Sequence, residues 1–245
     1  MGSIGASIPK KMIPNILKAD LDWAGQDVYV VGPGPNAAPY MLGTDNPPLE
    51  LPPDAPIIAC NKGIFCRRMP TVWLCATPLL AKAEWFNELM RKYNIMSPEI
   101  PMVVGRLGEW LDNYPFTHYF NCGSSLWSDA KRDPRTNKLT GVYKRFGCIN
   151  GYLRGGASAV ARGMQLAWFK EAKRCILIGA DMRGRGYFDG TINEHKSRTL
   201  DKEGNWLELT YFNELIKWVK ARDMDVVSLT KTELDVEVID DVRES

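Results

Sequence analysis

Gly32-Pro33-Gly34-Pro35-Asn36 is the first place in this chain where residue types and spacing could do chemistry. It follows directly on Asp27-Val-Tyr-Val-Val31, a short apolar run rich in β-branched residues. A buried parallel strand that ends in a glycine turn exposes backbone N–H groups at the carboxyl edge of a sheet, where open α/β sheets bind ligands. Glycines there let a phosphate or ribose approach the backbone closely, and the two prolines stiffen the loop. The spacing is not G-x-G-x-x-G, because Ala37 stands at the third glycine, and no G-K-[ST] follows as a P-loop requires. The loop therefore predicts a nucleotide or other phosphate ligand, against the alternative of a plain structural turn.

Four further places could serve such a ligand. Asn61, after the run Pro56-Ile-Ile-Ala-Cys60, could read a base or ribose edge or simply cap a turn. Gly155-Gly156-Ala157-Ser158 precedes a helical pattern, and unpaired N–H groups at a helix N-terminus favour an anion. Gly156 would allow close approach and Ser158 would add a hydroxyl, or act only as an N-cap. Asp181 closes Cys175-Ile-Leu-Ile178-Gly-Ala-Asp181, where a carboxylate could bind a ribose hydroxyl, a metal ion or an acceptor sugar. The segment 182–204 holds Arg183, Arg185, Tyr187 and His195. His195, in a polar setting, titrates near neutral pH and is a candidate general base. His118 lies in a strand pattern and reads as a core residue.

Stepping outward, the elements that must position these residues alternate. Strands are expected at 27–31, 56–60, 71–75, 101–104, 117–122, 175–178 and 225–229, with helices from Thr77-Pro78 to about Tyr93, from about Ala157 to Ala172, and from Trp206 to Ala221. Ala157, Val160, Ala161, Met164 and Ala167 form a small-residue face, and Leu209, Phe212, Ile216 and Val219 form an apolar one. Alternation of this kind predicts an α/β fold: a Rossmann-like three-layer domain with a mostly parallel sheet and a lid segment. The expected organisation is an N-terminal arm over 1–26 and one nucleotide-binding domain over 27–245, with the lid at about 182–204. Five prolines make 43–56 an irregular loop. The run 131–154 carries seven basic residues against Asp133 alone, and reads as solvated surface or as a flap over an anionic ligand.

The totals exclude other classes. With 31 basic and 29 acidic residues, the net charge of +2 argues against a dedicated nucleic-acid binder. No run of 18 apolar residues predicts a membrane span, and neither a signal peptide nor a myristoylation motif is legible, Ala6 standing where the latter wants Ser or Thr. Six cysteines without a C-x-x-C pair, and two histidines, predict no structural zinc site. Cys60, Cys75, Cys122 and Cys175 lie in strand runs, as small core residues do in a reducing cytoplasm. The expected location is cytoplasmic, and nothing speaks against a homo-oligomer.

Four pieces, taken in order, resemble bacterial sialyltransferases of glycosyltransferase family 42 and a wider set that includes the archaeal 6-hydroxymethylpterin diphosphokinase-like family. Val30-Val-Gly-Pro-Gly-Pro-Asn36 is similar to the strand and G-x-G-P-S nucleotide loop, with Asn36 for the usual Ser. Ala59-Cys-Asn-Lys62 resembles the strand end whose Asn contacts the nucleotide. Gly156-Ala-Ser158 and its helix resemble the second nucleotide-contacting element, and Ile176-Leu-Ile-Gly-Ala-Asp181 the L-x-G-I-D strand. The resemblance covers roughly residues 27–230. It implies that His195 is the base on a lid and that Tyr187 replaces one of two lid tyrosines. Asp181-Met182-Arg183 departs from D-F-Y, so Arg183 would steady the leaving phosphate by charge.

The resemblance thus implies a glycosyltransferase-like enzyme using a nucleotide-activated sugar, with a CMP-sugar as candidate donor and no cofactor or metal required. Gly32, Gly34, Pro35, Asn36, Asn61, Gly156, Ser158 and Asp181 would bind the nucleotide, and His195, Arg183 and Tyr187 would be catalytic. One alternative is a Mg²⁺-dependent diphosphokinase of the hydroxymethylpterin type, with Arg183 and Arg185 near a triphosphate and Asp181 on the metal. Another is a non-catalytic nucleotide-binding domain, which the missing tyrosine and the altered serine would fit.

Overall fold

The computed structural model describes residues 13–76, 80, 83–95, 102–106, 116–122, 152–153, 158–182, 186–191 and 207–239. Among the described residues, nine strands form one sheet: β1 Asp27–Val31, β2 Ile57–Cys60, β3 Val72–Cys75, β4 Val103–Arg106, β5 His118–Cys122, β6 Tyr152–Leu153, β7 Arg174–Ile178, β8 Asp225–Ser228 and β9 Glu237–Val238. Their order is β6-β5-β4-β3-β2-β1-β7-β8-β9, and every pairing is parallel. The chain builds the sheet outward from β1 through β6, then returns to the other side of β1 as β7. The strand order therefore reverses between β1 and β7, where Val31 pairs with Ile178.

The central strands are apolar throughout because both faces are covered. Period-two alternation divides them between two cores. Val28, Val30, Ile58, Cys60, Val72, Leu74, Cys175 and Leu177 face one side. Tyr29, Val31, Ile57, Ile176 and Ile178 face the other, beside Ala59, Trp73 and Cys75. Helices α2, Ala159–Phe169, and α3, Leu207–Lys220, cover the first face, with Phe212, Ile216 and Val219 buried there and Leu209 packed against them. Helix α1, Glu84–Lys92, covers the second face through Phe86 and Met90. Small residues bring α2 very close to the sheet: a Cβ on Gly163 would lie 2.7 Å from Val30 Cγ1. The fold is thus the expected three-layer Rossmann-like α/β arrangement.

Residues 13–23 join the first core. Asn15 caps a short 3-10 turn over Ile16–Lys18, the Tyr119 N–H donates to the Pro14 carbonyl at 3.0 Å, and Ile16 and Trp23 are buried.

Three readings change in the structure. His118 lies on β5 but is half-buried beside Thr117, 3.0 Å from its hydroxyl, so it is not a core residue. Burial, and then the Lys170 charge, lower its pKa. The two-residue strands β6 and β9 were not expected: β6 falls in the basic run and β9 follows the last anticipated strand. Two residues carry no legible alternation. The rest of the basic run, 131–151 and 154, lies outside the described residues, as do Thr77-Pro78 and Trp206. Among the described residues, no helix is long and apolar enough to cross a membrane.

Candidate active site at the β1 and β7 strand ends

In an open parallel sheet, the crevice at the point where strand order reverses is the natural ligand position. Here that point gathers most of the described site residues. Beyond β1, the Gly32 N–H donates to the Ile178 carbonyl at 2.7 Å and the Gly34 N–H to the Gly179 carbonyl at 3.0 Å. The loop and the end of β7 are thus zipped together past the last ladder pair. Pro35 starts a 3-10 helix, Pro35–Tyr40, where its fixed φ suits the first helical position.

The glycines serve that zipper. Gly34 has φ −63°, and Gly32 is not left-handed, so neither needs glycine's conformational freedom. What each needs is the absence of a Cβ. A Cβ on Gly32 would lie 2.7 Å from both Gly179 O and Val160 Cγ2, and one on Gly34 would overlap Asp181 Oδ2. The partner Gly179 does adopt the left-handed conformation, φ +64°.

Asp181 lies beneath the loop. Its Oδ2 accepts the Asn36 N–H at 2.9 Å, capping the start of the 3-10 helix from 145 residues away. Asn36 Nδ2 donates onward to the Lys231 carbonyl at 2.8 Å. Asp181 is only 5% exposed, and its buried Oδ1 has no hydrogen-bond partner among the described residues. Burial raises the Asp181 pKa above the ordinary carboxylate value, and the bonds from Asn36 only partly offset that.

Asn61 follows β2 directly with φ +51°, which asparagine tolerates better than most residues. Its Oδ1 accepts the Ala76 N–H at 2.8 Å and its carbonyl accepts the Trp73 indole N–H at 2.9 Å, so it ties β2 to the end of β3. Its Nδ2 donates to none of the described residues. Ser158 caps α2, its hydroxyl accepting the Ala161 N–H at 3.4 Å. The start of α2 touches the same edge, since Ala159 O faces Cys60 Sγ at 3.4 Å.

The turn 186–191 folds back onto the loop. The Phe188 N–H donates to the Pro33 carbonyl at 3.0 Å, which brings Tyr187 to the same edge. Sequence reasoning missed the residue that meets it, Lys62. This lysine is 3% exposed; its Nζ lies 2.9 Å from Asp189 Oδ2 and 2.6 Å from Thr191 Oγ1. The ammonium also lies 4.3 Å from the Trp85 ring centroid and 4.2 Å from that of Tyr187. Burial pulls its pKa down, against the pull of Asp189. Burial also works to raise Asp189, but bonds from Thr191 and Lys62 outweigh it and hold that carboxyl below its usual range. Burial, then the Asp189 charge, raise the Tyr187 phenol. A charged residue two positions after a buried strand was the one local signal for Lys62.

Known proteins can be set beside this geometry. The chain is similar to the structure of the MAf glycosyltransferase from Magnetospirillum magneticum AMB-1, with a TM-score of 0.50 at 12% identity. That match covers 92% of this chain and 35% of the other, so the chain spans about a third of that protein's length. At this identity the likeness is one of fold alone. No protein-family model and no curated protein matches the chain.

Of the sequence-derived site residues, Gly32, Gly34, Pro35, Asn36 and Asp181 form one contiguous patch, with Asn61 and Ser158 at the strand and helix ends around it and Tyr187 on the turn 186–191. His195, Arg183, Arg185 and Gly156 lie outside the described residues.

Proposed function

We propose that the chain is a glycosyltransferase-like enzyme that uses a nucleotide-activated sugar, with a CMP-sugar as the first donor to test. The observation that carries this reading is the convergence of the Gly32–Asn36 loop, the β2 end and Asp181 at the strand-order reversal. The fold likeness to a glycosyltransferase supports it. In this reading Gly32–Asn36, Asn61, Gly156 and Ser158 hold the nucleotide, and the Asn61 Nδ2, which donates to none of the described residues, is the donor that reads it. Arg183 and Tyr187 steady the departing phosphate, and His195 takes the acceptor hydroxyl's proton. Asp181 chiefly braces the loop.

One observation favours the diphosphokinase reading. The buried Oδ1 of Asp181, without a hydrogen-bond partner among the described residues, is an oxygen that a Mg²⁺ ion could use. Among the described residues, no group of three His, Cys, Asp or Glu could hold a metal. Mg²⁺ commonly takes one or two carboxylates plus substrate phosphates, so a single carboxylate fits that ion and no dedicated metal cage.

Thermal unfolding with CMP, CDP, UDP, GDP, ADP and ATP, each with and without Mg²⁺, separates the readings. A ligand at 100 times its Kd stabilises by about 2.7 kcal/mol, which is roughly 5–10 °C for a chain of this size. A shift with CMP and no metal supports the transferase. A shift with ATP only when Mg²⁺ is present selects the diphosphokinase. No shift with any nucleotide sinks both.

A further inference from the structure

We propose that Lys62 is a positioning residue: its ammonium fastens the Tyr187–Thr191 turn over the Gly32–Asn36 loop and so sets where the Tyr187 phenol stands beside a bound nucleotide. The second half of that statement rests on the nucleotide reading above; the fastening itself does not.

The turn is a closed unit. The Tyr187 N–H donates to the Thr191 carbonyl at 2.9 Å and the Gly190 N–H to the Tyr187 carbonyl at 3.0 Å. Thr191 donates to Asp189 Oδ1 through its N–H at 3.1 Å and its hydroxyl at 2.6 Å. A unit tied to itself needs external bonds to hold a fixed place. Among the described residues it has one backbone bond, from the Phe188 N–H to the Pro33 carbonyl, and Phe188 packs against both clusters of the second sheet face, its ring centroid 6.4 Å from that of Phe65. Among the described residues, the turn's remaining polar ties run through a single atom, Lys62 Nζ. That atom meets Asp189, Thr191 and the Tyr187 ring at once.

Lys62 is well placed for the task. It sits in the short 3-10 helix Asn61–Phe65, whose Gly63 lies so close to β1 that a Cβ there would overlap the Val31 carbonyl. The lysine's backbone is therefore fixed against the strand that feeds the glycine loop. Its stem is enclosed, and its charge is screened from water by Trp85 on one side and Tyr187 on the other. An ion pair in such surroundings is stronger than an exposed one and more costly to leave half-made. Burying an ammonium has no packing advantage over an apolar side chain, so its placement needs a reason, and the turn supplies one.

The test uses the full chain with Lys62→Met and Asp189→Asn. Methionine keeps the bulk between the two rings and removes the charge. Asparagine keeps an oxygen acceptor for Lys62, so its effect should be the smaller. Amide hydrogen exchange is read at Phe188 and Gly190, with Gly32 and Gly34 as internal references, and CMP affinity is read in parallel. In Lys62→Met, exchange at Phe188 and Gly190 should speed up about tenfold or more, with Gly32 and Gly34 unchanged. CMP affinity should fall about tenfold. Unchanged exchange at Phe188 overturns the proposal, as does acceleration shared equally by Gly32 and Gly34, which marks general loosening. Equal CMP affinity in the parent and in Lys62→Met, with accelerated exchange, overturns the link to Tyr187. If the parent binds no nucleotide, the nucleotide reading fails while the exchange result still decides what Lys62 does.

Discussion

Asp181 Oδ2 accepts the Asn36 N–H at 2.9 Å and stands where a side chain on Gly34 would have to go. The carboxylate and the glycine are therefore one device: the missing Cβ at 34 makes room for the acceptor that caps residue 36. Gly34→Ala must displace both Asp181 and the Gly179 carbonyl, the latter 2.5 Å from the new methyl. Backbone cannot yield as a flexible side chain does, so the cost should be about 3 kcal/mol, or about 6–12 °C in Tm. Urea and thermal unfolding of the variant check this. A loss below about 0.5 kcal/mol would show that the loop is not braced by β7 as described.

Asn61 makes a second, separable prediction. Alanine there loses the acceptor for the Ala76 N–H and must hold φ +51°, which costs about 1–2 kcal/mol in conformation and about 1 kcal/mol in hydrogen bonding. Glycine should lose only the second part. Aspartate keeps the acceptor and the backbone preference but replaces the Nδ2 donor. Asn61→Asp should therefore fold nearly as well as the parent and bind nucleotide more weakly. Nucleotide affinity equal to the parent's would remove Asn61 from the ligand site and leave it a turn cap.

How far the sequence carried the fold and the site differs by element, for physical reasons. Strands buried on both faces leave continuous apolar runs, so β1, β2, β3, β7 and β8 were legible within a residue or so. The apolar stripe of α3 and the small residues of α2 were legible for the same reason: their neighbours are in the sheet. The loop was found for a reason that was only half right. Glycines at 32 and 34 were read as room for a ligand, whereas the space a Cβ would fill is taken by Gly179, Val160 and Asp181. Nothing local distinguishes a glycine that admits a phosphate from one that admits another part of the chain. Lys62 was passed over because its partners Trp85, Tyr187, Asp189 and Thr191 are remote in sequence, and only the folded edge assembles them.

The Lys62–Asp189 pair predicts a non-additive pair of substitutions. Lys62→Met alone leaves Asp189 without its cation, but that carboxylate is partly solvated, so the loss of global stability should be modest, about 1 kcal/mol. Adding Asp189→Asn removes the stranded charge and should recover most of that loss. The two single effects would then sum to more than the double variant shows, a coupling of about 1 kcal/mol in a double-mutant cycle. Strict additivity would mean that the pair contributes nothing beyond its separate members. The cycle reads global unfolding and is independent of any ligand.

Asp181 predicts a pH dependence whose sign can be worked out. Burial raises its folded pKa above the ordinary value of 3.8, so the folded chain holds that proton more tightly than the unfolded chain. The group's contribution to stability is then fully present below the unfolded value and is lost as pH rises through the raised folded one. Asp189, with a lowered pKa, works in the opposite direction and gains with rising pH, so the parent's own pH profile mixes the two. Asp181→Asn separates them, because Asp189 is common to both proteins and cancels in the difference. The amide keeps an oxygen for the Asn36 N–H and cannot ionise. Its stability relative to the parent should therefore climb as pH rises above about 4 and level off once the parent's carboxyl is ionised. Urea unfolding of both proteins from pH 3.5 to 7 measures that difference. A difference that shrinks with rising pH would mean that the Asn36 bonds outweigh burial, and that Asp181 is held as a carboxylate by the loop it caps.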